Sequence, residues 1–151
     1  MNKIELIKAE RDGLEIKSDL QRFAEEGWES ISEDDIQRLK WYGLFLRNPT
    51  PGYFMLRVRI PNGFSFSHQV RALSGIAEIY GNGVIDITTR QQVQLRHLKI
   101  ENIPKIFNLL EEVSLTTSQT GMDNIRNIMG CPVSGLSPKE KVDAYSLVKM
   151  L

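Results

Sequence analysis

The chain has 151 residues, 41% hydrophobic and 25% charged, enough for one ordinary domain with or without the start of a second. Its 19 Lys+Arg balance 19 Asp+Glu, so there is no global positive field to draw it to nucleic acid, and any basic patch is local. The single Cys131 excludes an internal disulfide, no Cys/His cluster has zinc spacing, and the N-terminus lacks the apolar run of a signal peptide or membrane span; a reduced, cytoplasmic setting is expected.

Residues 1–17 give only weak signals. Asp19 to Glu26 has helical spacing at Leu20, Phe23 and Ala24, and Gly27 closes it. Ser32 followed by Glu33, Asp34 and Asp35 is a capped helix start, continued by Ile36 and Leu39. From Trp41 to Gly52 the punctuation by Gly43, Pro49, Pro51 and Gly52 predicts an irregular connector. Tyr53 to Ile60 then alternates as a strand, with Phe54, Leu56, Val58 and Ile60 on one face and Arg57 and Arg59 on the other. After the turn Pro61-Asn62-Gly63, Ser65 or Ser67 can cap a helix over His68 to Tyr80, which Gly81 stops.

Strands are predicted over Val84 to Thr88 and Val93 to Ile100, and a helix opens at Asn102 with Ile103, Ile106, Phe107, Leu110 and Val113 on one side. The order strand, helix, strand, strand, helix points to an α+β, ferredoxin-like arrangement, with helices on one face of the sheet. The opposite face would then present Arg57, Arg59, Gln94 and Arg96, and must meet a ligand, another domain or another subunit. Between the last two strands, Asp86 to His97 packs two threonines, three glutamines and two arginines. Alternation puts Gln92, Gln94 and Arg96 on one face, and Val93, Leu95 and His97 on the packed one. Guanidinium forks match carboxylates and small oxyanions, so an anionic guest is expected; the plainer alternative is a solvated sheet surface.

Thr116 to Pro132 is polar and glycine-punctuated, with Arg126 between Asn124 and Asn127. Ser137-Pro138-Lys139-Glu140 has the pattern of a capped helix start, and Val142, Tyr145, Val148 and Leu151 would share one face of that helix. The chain stops inside it, which reads as a truncated or fragmentary piece.

Three stretches in series now resemble one family. Trp41-Tyr42-Gly43 with Phe54-Met55-Leu56-Arg57-Val58-Arg59-Ile60-Pro61-Asn62-Gly63, then Asp86 to Arg96, then Gly121-Met122-Asp123-Asn124-Ile125-Arg126-Asn127 with Gly130 and Gly135, are similar to the N-terminal portion of sirohaem-containing nitrite and sulfite reductases. The similarity runs from about Lys40 to Tyr145 and looks closest to the ferredoxin-dependent nitrite reductases. It implies a helical N-terminal extension over 1–45, a ferredoxin-like half-domain over 46–115, and the beginning of a truncated sirohaem/iron-sulfur domain over 116–151. It implies further that Arg57 and Arg126 hold the substrate anion, and that Thr88, Thr89, Arg90, Gln92, Gln94 and Arg96, with Asn124 and Asn127, bind sirohaem.

The implied chemistry is six-electron reduction of nitrite to ammonium, with sirohaem and a 4Fe-4S cluster in the full-length enzyme and a ferredoxin-type electron donor. The family's cluster cysteines, distal lysines and second half have no counterpart here, and Cys131 matches no cluster ligand. The isolated chain is therefore expected to be inactive, to hold no cofactor or only part of its site, and to pair either with the remaining C-terminal portion or with a second copy of itself. No nucleic acid or membrane partner is expected. The alternatives are a sulfite reductase portion and, in another class, a ferredoxin-like RNA-binding or structural interaction module. Among single residues, His68 reads as a surface or capping group, Trp41 and Tyr42 as packing residues, Cys131 as a free thiol, and Arg59 as a neighbour of Arg57 or a solvent-facing group.

Overall fold

The computed structural model describes residues 2–150. Apolar alternation builds its centre, a four-stranded antiparallel sheet of β1 (Leu44–Leu46), β2 (Phe54–Val58), β3 (Ile85–Ile87) and β4 (Val93–Leu98) in the order β1-β2-β4-β3. Leu44, Leu56, Leu95 and Ile85 stand in register across all four strands, and Val58, Val93 and Ile87 form the next row. Because β4 lies between β2 and β3 and is antiparallel to both, β2 and β3 run parallel, joined by the crossover helix α4 (Ser67–Tyr80). This is the split arrangement expected from the sequence, closed by α5 (Ile103–Glu112).

The helices cover the apolar face. Leu73, Ile76 and Ala77 of α4 and Ile103, Ile106, Phe107 and Leu110 of α5 pack into one core with Phe54, Leu56, Val58, Leu95 and Leu98. The N-terminal part joins it through Ile16, Leu20 and Phe23, the last two from α2 (Leu20–Glu26), which ends at Gly27 as expected. Ahead of them, α1 (Lys3–Glu10) is fastened to α3 (Glu33–Leu39) by the buried Arg38, which donates to Glu10 at 2.6 Å and Asp35 at 2.8 Å. Ser32 caps α3 by accepting from the Asp35 N–H, as its sequence predicts. Trp41 is buried against Gly13, where a Cβ would fall 2.1 Å from the indole ring. Among the described residues no helix is long and apolar enough to cross a membrane.

Four expectations need correction. The predicted connector 41–52 contains β1, which sequence punctuation hides because it is only three residues long and its pairing is with β2. Neither Ser65 nor Ser67 caps α4; the helix begins at Ser67, and the buried Gln69 side chain accepts from the Phe66 N–H while donating to the Val113 carbonyl. The segment opened by Ser137 is not helical, because Glu140 turns back to the Ser134 hydroxyl at 2.5 Å and the Gly135 N–H. The last helix, α6 (Tyr145–Met150), starts later, where the Asp143 side chain accepts from the Tyr145 N–H. Leu151, assigned to that helix face, lies outside the described residues.

The fourth concerns His97, placed on the packed face by alternation. It is exposed, with a left-handed φ of 58°, and the β2–β4 register shifts between Phe54 and Leu56. This is a bulge: two residues of β4, Arg96 and His97, stand against the single Met55 of β2, and Leu98 takes the core position opposite Phe54. His97→Gly, which relieves the left-handed conformation, is expected to be neutral or stabilising by up to about 1 kcal/mol, whereas Leu98→Ala should cost about 2–5 kcal/mol. Urea unfolding of both variants checks this, and a large loss at His97 would contradict the bulge.

Candidate functional site

On the face turned away from α4 and α5, the row in register with the polar residues is Asp86, Gln94 and Arg57, with the Arg57 N–H donating to the Gly43 carbonyl. Gly43 is at φ 71°, and a Cβ there would come within 2.3 Å of the Thr120 hydroxyl and 2.7 Å of the Arg57 carbonyl. The chain 116–130 can therefore cross tightly over this end of the sheet. It does so with the Arg59 N–H bonded to the Thr116 carbonyl and the Thr120 hydroxyl donating to the Thr117 carbonyl.

Arg57 is half-buried. It donates to the Thr120 carbonyl at 2.6 Å and lies 4.8 Å above the Phe45 ring, so its direction is fixed. Burial pushes the guanidinium below its ordinary value, and the charges of Arg126 and Arg90 push it the same way. Arg59 is also lowered by burial and donates to the Gln119 and Ile125 carbonyls. Among the described residues none of Arg57, Arg59, Arg90 and Arg126 makes an ion pair. Arg57 and Arg59 are thus cations partly withdrawn from water without a carboxylate partner among the described residues, while Arg90 is exposed.

Side-chain amides hold the two loops that carry the arginines. Asn127 donates to the Ile60, Arg90 and Gln91 carbonyls at 2.9, 2.9 and 3.1 Å. Gln91, at φ 55°, grips the Gly130 backbone at both its N–H and its carbonyl. Gln92, 1% exposed, donates to the Arg126 carbonyl at 2.7 Å. The Thr88 hydroxyl accepts from the Gln92 N–H and shapes the turn. A concavity of ≈ 480 Å³ results, lined by Arg90, Asn124, Arg126, Asn127 and the intervening loop. A second hollow of ≈ 700 Å³, reaching Arg59, shares Asn124 and Asn127 with it.

Of the residues singled out in the sequence, Arg90, Asn124, Arg126 and Asn127 meet in the concavity, and Arg57 is near enough to feel both arginines. Thr89 is exposed on the same loop. Gln94 and Arg96 do not line the concavity: Arg96 is paired with Asp86 and donates to Gln94. The amide donors of Gln92 and Asn127 are engaged by the backbone, and Asn124 donates to the Gly121 carbonyl. Sequence reasoning missed Phe45, Thr120 and the grip of Gln91. Phe45 could have been found from the Leu44-Phe45-Leu46 triplet had β1 been recognised; a backbone carbonyl such as that of Thr120 leaves no sequence signal.

Residues 47–113 match the nitrite/sulfite reductase ferredoxin-like half domain. The chain is 49% identical over 151 residues to the ferredoxin–nitrite reductase of Leptolyngbya laminosa, covering 99% of this chain and 30% of that protein. Against the chloroplastic ferredoxin–nitrite reductase of Arabidopsis thaliana it is 38% identical over 161 residues, covering 100% of this chain and 28% of that one. Among solved structures, the Mycobacterium tuberculosis NirA protein superposes with a TM-score of 0.92 at 28% identity, over 99% of this chain and 31% of its own. The chain thus spans about 30% of the length of the first of these curated relatives.

Removing the amide that joins both loops should be felt in stability. Asn127→Ala is expected to cost about 1–3 kcal/mol, whereas Thr89→Ala, at an exposed hydroxyl, should stay within about 0.5 kcal/mol. Thermal and urea unfolding of the two variants provides the check.

Proposed function

We propose, from the match of residues 47–113 to the nitrite/sulfite reductase ferredoxin-like half domain, that the chain is the N-terminal portion of an assimilatory-type nitrite reductase, with residues 116–151 beginning its sirohaem domain. The observation that carries this reading is the group Arg57, Arg59, Arg90 and Arg126, without carboxylate partners among the described residues and gathered beside two connected hollows. Such donors fit a guest with several carboxylates and, beside it, a small oxyanion. When bound, sirohaem and a 4Fe-4S cluster would pass electrons from the external donor to nitrite for its reduction to ammonium.

The chain's own residues bind and orient. Arg90, with the free proton of the Thr88 hydroxyl and the exposed Thr89, would hold sirohaem carboxylates; Asn124 stands at the rim. Arg96 and Gln94 would contribute from the neighbouring strand, with Asp86 tempering the charge of Arg96. Gln92 and Asn127 serve the same guest by fixing the backbone of Arg126 and Arg90. Arg57 and Arg126 would hold nitrite: Arg57 is aimed by Thr120 and Phe45 before any substrate arrives, so little ordering is left for the moment of binding. Their positive charge favours the anion over neutral ligands. A ferredoxin-type donor and the remaining C-terminal portion complete the activity; in their absence the chain would be inactive and free to pair with a second copy.

Arg57→Met keeps a flexible apolar side chain against Phe45 while removing the charge. In the full-length enzyme it should lower kcat/KM for nitrite by about 10²-fold, from the loss of one aimed charged donor. In the isolated chain it should leave the melting temperature unchanged or higher, because a half-buried cation is removed. Unchanged nitrite kinetics would contradict the assignment.

A further inference from the structure

We propose that Lys8, on the N-terminal helix α1, is a positioning residue for the arginine site: it holds the Asp123 carboxylate so that Arg90 and Arg126 stay free of an internal counter-ion. This rests on the reading of those arginines as an anion site. Asp123 is the one carboxylate among the residues lining the two hollows, three positions before Arg126 on the same loop. Its side chain is 73% exposed and so has room to turn. Its ion-pair partner is the Lys8 ammonium, 115 residues earlier in the chain, which Glu5 also holds at 2.8 Å.

The helix that presents Lys8 is itself fixed, because Glu10 at its end is tied to the buried Arg38 of α3. The ammonium thus reaches the loop from a helix anchored elsewhere in the fold. Take Lys8 away, and the cations that line the hollows together with Asp123 are Arg90 and Arg126 in the first and Arg59, already tied to two carbonyls, in the second; their planar forks suit a carboxylate better than an ammonium does. A carboxylate paired there competes with any incoming anion. The helix α1, which contributes no group to the hollows, would in this way decide how much positive charge they offer.

Labelling of Arg90 and Arg126 with phenylglyoxal, followed by peptide mass spectrometry, tests this on the chain itself. Lys8→Ala should slow labelling of one or both arginines about threefold, in keeping with the modest worth of a partly exposed pair. Lys8→Arg should keep the wild-type rate, and Lys8→Ala combined with Asp123→Asn should restore it. Loosening of the fold would speed labelling, so a destabilised variant cannot imitate the expected result. An unchanged rate in Lys8→Ala, or slowing that persists in the double variant, would overturn the proposal. Protection of the wild type by added nitrite is a separate measurement: its absence would overturn the anion-site reading, whatever the labelling rates of the variants.

Discussion

A guanidinium drawn halfway out of water must be answered by an anion or held in place at a cost, and Arg57 is held. Its strand position is fixed by pairing with Gln94 on one side and the Gly43 carbonyl on the other. Its head is fixed by the Thr120 carbonyl and the Phe45 ring. Neutral partners of this kind orient the charge without cancelling it, and the arginines at 90 and 126 raise the local potential further. The rest of the structure is arranged so that this unfavourable gathering of like charges can persist.

That arrangement has two layers. The sheet and its helices supply a rigid base, whose leucine row and helix-facing core leave the opposite face free for polar side chains. Over it, side-chain amides tie the loops: Asn127, Gln91 and Gln92 bind backbone to backbone across two chain segments about thirty-five residues apart. Amide bonds suit the task because they satisfy loop carbonyls that would otherwise be buried unpaired, and they introduce no charge to compete with the arginines. The ammonium of Lys8 is proposed to follow the same logic, applied to the carboxylate that lines the two hollows.

Much of the base could be read in the sequence, since the alternation at Phe54, Leu56 and Val58 and the helical spacing in 67–80 and 103–112 are direct records of burial. What escaped reading was set by tertiary geometry. β1 is too short to show a period, and His97 breaks alternation through a backbone conformation that its residue type does not announce. Ser137 to Glu140 carries a helix-start pattern, but Glu140 serves an earlier turn. In the site, the arginines were legible as residue types suited to anions. Whether an amide side chain faces a guest or staples a loop was not, because Gln92 and Asn127 differ from Gln94 only in what folds over them. Lys8 and Asp123, far apart in the chain, gave no signal at all.

The central claim is that the arginine cluster is an anion site already formed in this chain. Titration of the purified chain with sirohaem, followed by absorption at low and high salt, tests it most directly when run beside an Arg90→Ala, Arg126→Ala double variant. Saturable binding that weakens with salt and is lost in the variant is the predicted result. Binding that is equal in both proteins and indifferent to salt would contradict it, and would place any affinity for the cofactor in its apolar surface and not in these charges.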